Sequence, residues 1–201
     1  MRIGRKGCGT FEVLVTGRAS HAGLEPEAGV NALTEAAHQV LEITALGRPE
    51  AGTSVTPTVA SAGTASNVVP ASATVVVDVR VETAAEKDRV EAGFAALTPR
   101  LDGAEIAVRG GIHRPPMPES AAASFFTVAE RLLPGVAGVA VGGGSDGNLT
   151  AAIGVPTLDG LGAVGGGAHT DHEYLLVESM AERAKLVTGL VTALTTSQLE
   201  D

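Results

Sequence analysis

Two periodicities alternate along the first half of this chain. Thr10–Gly17 places Phe11, Val13 and Val15 at every second position, the pattern of a strand with one buried face. Pro26 and Gly29 mark a turn. Val30–Leu46 then carries Leu33, Ala36, Ala37, Val40, Leu41 and Leu46 along a helical stripe, ended by Gly47 and Pro49. Ser54–Ala62 and Ala73–Val81 are β-branched runs on either side of a Gly/Asn/Pro segment, which predicts paired strands. Thr83 is placed to cap a helix over Ala84–Leu97, closed by Pro99, and Glu105–Arg109 is a short last strand. The order β-α-β-β-α-β is that of the ferredoxin-like split βαβ unit. Two helices on one face of such a sheet leave the other face, or an edge strand, open to a second copy.

The second half is less regular. Gly110–Pro118, with its Gly-Gly and Pro-Pro pairs, reads as a connector. A helix over Ala121–Leu133 is followed by a buried strand over Val136–Val141, a glycine turn at Gly142–Gly147 and a short helix over Asn148–Ile153. Val155–Leu158 is a further short strand, Leu161–Gly167 is glycine-rich, and Val177–Leu199 is a long terminal helix. This is α/β material with too few strands to close a sheet. No internal repeat or low-complexity tract is present.

Composition narrows the functional classes. The 201 residues have room for two domains of about 100 residues, and 44% hydrophobic against 18% charged residues favours packed cores over disorder. A net charge of -9 without a basic cluster argues against a nucleic-acid partner. With 2% aromatic residues and no Trp, the stacking platforms of single-strand binders are missing too. Cys8, the single cysteine, has no internal partner for a disulfide. No apolar run reaches the ~20 residues of a membrane span. The expectation is a soluble, cytoplasmic protein with no membrane partner.

Three clusters carry candidate chemistry. In Gly17-Arg18-Ala19-Ser20-His21-Ala22-Gly23, a histidine just past a strand end stands among small residues, able to project into a cleft or simply to cap the loop. In Gly63-Thr64-Ala65-Ser66-Asn67-Val68-Val69-Pro70, Asn67 precedes Asp78 and Arg80 on the next strand. Asn67 and Arg80 on neighbouring strands can face one carboxylate, which a guanidinium fork grips bidentately. Alternation also puts Asp78 and Arg80 on one strand face, where they can pair with each other. The third cluster joins Gly142-Gly143-Gly144-Ser145-Asp146-Gly147 to Gly165-Gly166-Gly167-Ala168-His169-Thr170-Asp171-His172-Glu173. Its glycines expose backbone N–H groups suited to an anion. No Gly-Lys-Ser/Thr follows, so a nucleotide loop is not indicated. Gly143, Ser145 and Gly147 match the Gly-x-Ser-x-Gly nucleophile elbow, a pattern that 26 glycines make easy to meet by chance. His169 is a candidate metal ligand, but a site needs three or more protein groups. His38 and His113 read as solvated surface histidines.

Taken in order, these segments resemble the co-catalytic zinc metallopeptidases that include glutamate carboxypeptidase, aminoacylase and succinyl-diaminopimelate desuccinylase. The resemblance runs over nearly the whole chain, with the glutamate carboxypeptidase branch nearest. It rests on Gly17–Gly23 with Pro26, Gly29 and Asn31, on Gly63–Pro70 with Asp78 and Arg80, on Gly143–Gly147, and on Gly167-Ala168-His169 with Glu173. It implies an α/β (α+β) chain in which a ferredoxin-like dimerisation domain at 10–110 follows a lead-in at 1–9. A connector at 111–120 would then lead to an incomplete zinc-peptidase catalytic segment at 121–201. It implies a homodimer acting on N-acyl amino acids or peptides with a free carboxylate, by amide hydrolysis at a two-zinc centre. His169 would be a zinc ligand, and His21 would stabilise the oxyanion in the partner's active site. Asn67 and Arg80 would hold the substrate carboxylate, helped by the backbone around Gly144 and Ser145.

The departures from the family pattern are equally specific. No Glu-Glu pair occurs in the chain and no His-x-Asp motif stands ahead of the dimerisation domain, so most metal ligands and the general base are missing. The chain is expected to be inactive alone. The competing readings are a non-catalytic module that pairs with a full-length homologue, and a serine hydrolase using Ser145 with His169 or His172 and Asp159 or Asp171. The second fits poorly, because its elbow lies outside a multi-stranded parallel sheet.

Overall fold

A computed structural model describes residues 1–196. The chain runs β1 (Arg2–Arg5), β2 (Gly7–Thr16), α1 (Ala32–Thr44), β3 (Ser54–Ala62), β4 (Ser72–Val81), α2 (Ala84–Ala95), β5 (Glu105–Arg114), α3 (Ala123–Leu132), β6 (Val139–Val141), α4 (Gly147–Ala152), β7 (Gly165–Gly166), β8 (Tyr174–Leu175) and α5 (Val177–Thr195). It divides into a sheet unit, Lys6–Pro116, and a terminal unit made of Met1–Arg5 and the chain from Met117 onward.

In the sheet unit four antiparallel strands stand in the order β3-β4-β2-β5, the ferredoxin-like arrangement. The α/β class and the β-α-β-β-α-β order expected from the pattern are found. The alternation along β4 is complete: Ala73, Val75, Val77, Val79 and Val81 are buried, and the residues between them are only partly so. Each fully buried Val or Phe contributes roughly 1.5–3 kcal/mol. Phe11 and Phe94 stack with centroids 3.8 Å apart, fixing α2 to β2. The Thr83 hydroxyl caps α2 by accepting the Glu86 N–H, and the Asn31 side chain caps α1 by accepting from Leu33 and Thr34. The Glu35 carboxylate is fully buried and satisfied. It accepts the Arg100 N–H at 2.9 Å, the Leu101 N–H at 2.7 Å and Gln39 Nε2 at 2.7 Å, tying the loop after α2 to α1. Edge strand β3 is exposed beyond Val55 apart from a half-buried Pro57, which sits where a missing N–H does least harm.

Two expectations for this unit need correction. The last strand runs to Arg114, not Arg109. The Gly-Gly pair read as the start of a connector is a bulge inside β5: Gly110 has φ +94° and the register against β2 shifts between Cys8 and Thr10. Asn67 lies in a turn before β4 and not on a strand.

The terminal unit is built differently. β1 pairs in parallel with β6, and β7 with β8 in a minimal hairpin. Helices α3 and α5 pack around Met1, Val128, Ala129, Leu186, Leu190 and Ala193. The pairing role of Arg2–Arg5 is absent from the sequence expectations, because four residues reading Arg-Ile-Gly-Arg carry no strand pattern. The strand expected at Val155–Leu158 does not form: Pro156 offers no N–H, and Thr157 N–H is spent on the Ala121 carbonyl at 2.7 Å. The strand expected at Val136–Val141 shortens to Val139–Val141, because Val136 N–H closes the turn after α3 on Leu133. Helix α5 is described to Thr195; its expected continuation to Leu199 runs past Thr196, outside the described residues. No described helix is long and apolar enough to cross a membrane.

Candidate functional site

His21 and Asn67 are brought together by the sheet unit. The segment after β2 and the segment before β4 zip along their backbones. Val69 N–H donates to Ser20 O at 2.9 Å, Ala22 N–H to Asn67 O at 2.9 Å, and Arg18 and Val30 exchange both of their hydrogen bonds. Glycine is required at 17, where a Cβ would lie 2.1 Å from the Val30 carbonyl oxygen. The zipper leaves both side chains exposed. The Asn67 amide has no partner among the described residues. The His21 ring folds over its own turn, and Nδ1 accepts the N–H groups of Gly23 and Leu24, each at 3.1 Å. This is the capping arrangement open to a loop histidine.

Arg80 is elsewhere. On β4 it faces Cys8 and Ser54, whereas the β3–β4 hairpin end beside Asn67 is the Ala62–Ala73 pair. Arg80 is therefore about 23 Å along the strand from Ala73, at ~3.3 Å per residue. Its guanidinium grips Asp78 twice, Nε to Oδ1 at 2.9 Å and Nη2 to Oδ2 at 2.8 Å. This hydrogen-bonded partner raises the Arg80 pKa further, outweighing partial burial.

In the terminal unit the Gly142–Gly147 loop is fastened through one carboxylate. Asp159 accepts Arg5 Nε at 2.6 Å and the Ser145 hydroxyl, and Arg5 also donates through Nη1 to the Gly143 carbonyl at 2.7 Å. Ser145 Oγ accepts the Gly147 N–H at 3.1 Å, and Ser145 N–H donates to the fully buried Asn148 at 2.8 Å. Burial alone would raise the Asp159 pKa. The hydrogen bonds from Ser145, Arg5 and Gly160 outweigh it and hold the carboxyl below its usual range. Ser145 thus spends its proton on Asp159, and no histidine bonds it, so a Ser-His-Asp relay is not assembled. Nothing in the tetrapeptide Arg2–Arg5 or in the short helix α4 marks Arg5 or Asn148 as loop clamps in the sequence. A Cβ at Gly142 would meet nothing within 4 Å, so packing does not require glycine there.

His169 sits beyond β7 in a turn closed by Thr170 N–H to Gly167 O at 3.0 Å. It has φ +65°, a left-handed conformation found at no other non-glycine among the described residues. The neighbouring cavity, about 640 Å³, is lined by Gly166, Gly167, Glu173, Tyr174, Arg2 and Arg183. His169-Thr170-Asp171 has His-x-Asp spacing, but no group of three or more His, Cys, Asp or Glu side chains gathers among the described residues. The donors present do not fit a two-metal centre. His38 and His113 are exposed, as expected of surface residues.

The four-stranded sheet carries two helices and leaves β3 as an open edge strand. The profile of the peptidase dimerisation domain matches residues 3–102. Residues 3–102 thus carry the dimerisation domain of the M20 peptidases. It is 33% identical over 205 residues to carboxypeptidase G2 of Pseudomonas sp. (strain RS-16), covering 95% of this chain and 48% of that one. It thus spans about half the length of that relative. Two solved structures share the fold. Aminopeptidase PepT from Bacillus cereus ATCC 10987 has a TM-score of 0.74 and 24% identity over 94% of this chain and 52% of its own. The Bacillus subtilis YXEP protein, described as a dinuclear metal binding peptidase of the M20 family, has a TM-score of 0.62 and 17% identity over 94% and 50%.

Proposed function

We propose that the chain is the carboxyl-terminal part of a metal-dependent, glutamate carboxypeptidase-like amidohydrolase. The whole enzyme hydrolyses the amide bond of N-acyl amino acids or peptides that end in a free carboxylate. Residues 10–110 dimerise and residues 121–201 belong to the catalytic domain. Alone, this chain binds and dimerises without turning over. The single cysteine, which offers no internal disulfide, is the basis for assigning it to the cytoplasm.

The observation that carries this reading is the separation of Arg80 from His21 and Asn67 along β4. One substrate cannot touch all three within one copy. Antiparallel pairing of two β3 edges places the hairpin end of one sheet beside the Arg80 end of the other. Val59 on β3 and Leu33 and Leu41 on α1 are exposed apolar residues on elements that pack together at that edge. Arg80 of one copy then holds the substrate carboxylate as a fixed cation. Asn67 of its partner adds a neutral donor, and His21 of the partner stabilises the oxyanion. Gly144 and Ser145 are the further substrate-binding residues that the resemblance implies. His169 is one ligand for zinc, two ions of which the complete enzyme would hold. The donors among the described residues do not complete a site for either.

The test is direct. Native mass spectrometry of the purified chain should give a dimer, and N-acetylglutamate should shift the NMR resonances of both Arg80 and Asn67. Added zinc should give no hydrolysis of N-acyl amino acids or dipeptides. Zinc-dependent turnover would overturn the inactivity of this part. A monomer that binds N-acetylglutamate unchanged would overturn the shared site. That no group of three or more such donors gathers among the described residues favours a second reading, a non-catalytic module pairing with an intact homologue. Mixed dimers on adding such a homologue would support it.

A further inference from the structure

His21 is held by its own loop in one protonation form. Its Nδ1 accepts two backbone N–H groups, from Gly23 and Leu24, each at 3.1 Å. A ring nitrogen that accepts a hydrogen bond carries no proton, so the proton of the neutral ring sits on Nε2. Nε2 has no hydrogen-bond partner among the described residues, and the side chain is exposed. The turn itself is pinned. Leu24 and Glu25 donate to the His21 carbonyl at 3.3 and 3.1 Å, and the zipper bonds of Val69 to Ser20 and Ala22 to Asn67 hold the backbone on either side of residue 21.

We propose that the backbone N–H groups of Gly23 and Leu24 are positioning groups that lock His21 as an Nε2–H donor. So locked, His21 can give a hydrogen bond to a developing oxyanion, and it cannot accept a proton at Nε2 as a general base. The inference rests on His21 meeting the substrate, but the lock is measurable without any turnover. His113 supplies an internal contrast. Its Nδ1 lies 3.3 Å from the Gly111 carbonyl, an acceptor only, so that ring favours the Nδ1–H form.

The experiment is nitrogen-15 NMR of the histidine rings of the whole chain, at a pH where the rings are neutral. His21 should show an unprotonated Nδ1 and a protonated Nε2, with coupling across the hydrogen bond from the Gly23 or Leu24 amide to Nδ1. His113 should lean to the opposite tautomer. Gly23→Ala keeps the N–H and places its Cβ in ordinary contact with the ring, 3.6 Å from Cε1, so the pattern should persist. Gly23→Pro and Leu24→Pro each delete one donor and should lose that coupling, with amide dispersion checking the fold. A protonated Nδ1 at His21 overturns the lock, as does a wild-type ring with no coupling and a mixed tautomer. If the tautomer is as stated while N-acetylglutamate leaves the His21 ring unmoved, the lock stands and the substrate role fails.

Discussion

The two units of this chain bury their apolar residues to very different degrees. In the sheet unit, fifteen buried residues form one cluster drawn from all four strands and both helices. In the terminal unit the corresponding cluster has six. Of the large hydrophobic residues described as exposed, four lie in the sheet unit and fourteen in the terminal unit. Helix α5 makes the contrast concrete. It buries Leu186, Leu190 and Ala193, yet Met180, Val187, Val191 and Leu194 form a second apolar stripe that stands exposed. A helix apolar on adjacent faces belongs to an interior. Val187, Val191 and Leu194 of that stripe line an apolar groove of about 290 Å³ with Phe125, Val155 and Leu158. The sheet unit has closed its core and the terminal unit has not.

Perturbing the closed core should have the largest effect. Phe94→Ala removes a ring that is 2% exposed and stacked on Phe11, and should cost about 3–5 kcal/mol. Truncating Val191, 54% exposed in the other unit, should change stability by less than about 0.5 kcal/mol. Urea unfolding followed unit by unit separates the two, and equal losses would break the comparison. Glu35→Ala comes next. It strands the Arg100 and Leu101 N–H groups inside the sheet unit, at about 1–3 kcal/mol for each donor, read as a lower urea midpoint.

Three of the four exposed large apolar residues of the sheet unit, Val59, Leu33 and Leu41, lie on β3 and α1, which pack together at its edge. Val59→Lys on β3 should weaken dimerisation at least about tenfold, roughly 1.4 kcal/mol, in sedimentation equilibrium. An unchanged dimer would move the interface elsewhere. The smallest effect is on pH dependence. Hydrogen bonds from Arg89, then from the Thr53 hydroxyl, hold Glu86 at about 2. Its folded value lies below the ordinary 4.5. The stability it adds is therefore full above about pH 4.5 and lost as pH falls toward 2. Glu86→Gln should flatten that part of the sheet unit's melting profile, and an unaltered acid slope would count against the assignment.

Legibility in the sequence follows the same division. Strand β4 and the cap of α2 are plain, because alternation along Ala73–Val81 and the Thr83 hydroxyl act locally. The far end of β5 is hidden, since Gly110 and Gly111 look like a break and form a bulge held by β2. In the terminal unit the pairing of β1 with β6 joins residues more than 130 positions apart, and no local pattern reports it. The candidate residues fared alike. His21 and Asn67 belong to motifs that a backbone zipper unites. The distance of Arg80 from them depends on strand register, and the clamp of Arg5 on Asp159 joins two segments far apart in the chain. Neither leaves a mark in spacing.

The sheet unit buries one large apolar cluster, whereas the terminal unit leaves most of its large apolar residues exposed. Hydrogen exchange of the intact chain, resolved by mass spectrometry, tests it in one experiment. Amides of β2 and β4 should exchange only through global opening of the sheet unit, while those of α3 and α5 should exchange orders of magnitude faster. Equal protection of α5 and β4, or rapid exchange within β4, would contradict it.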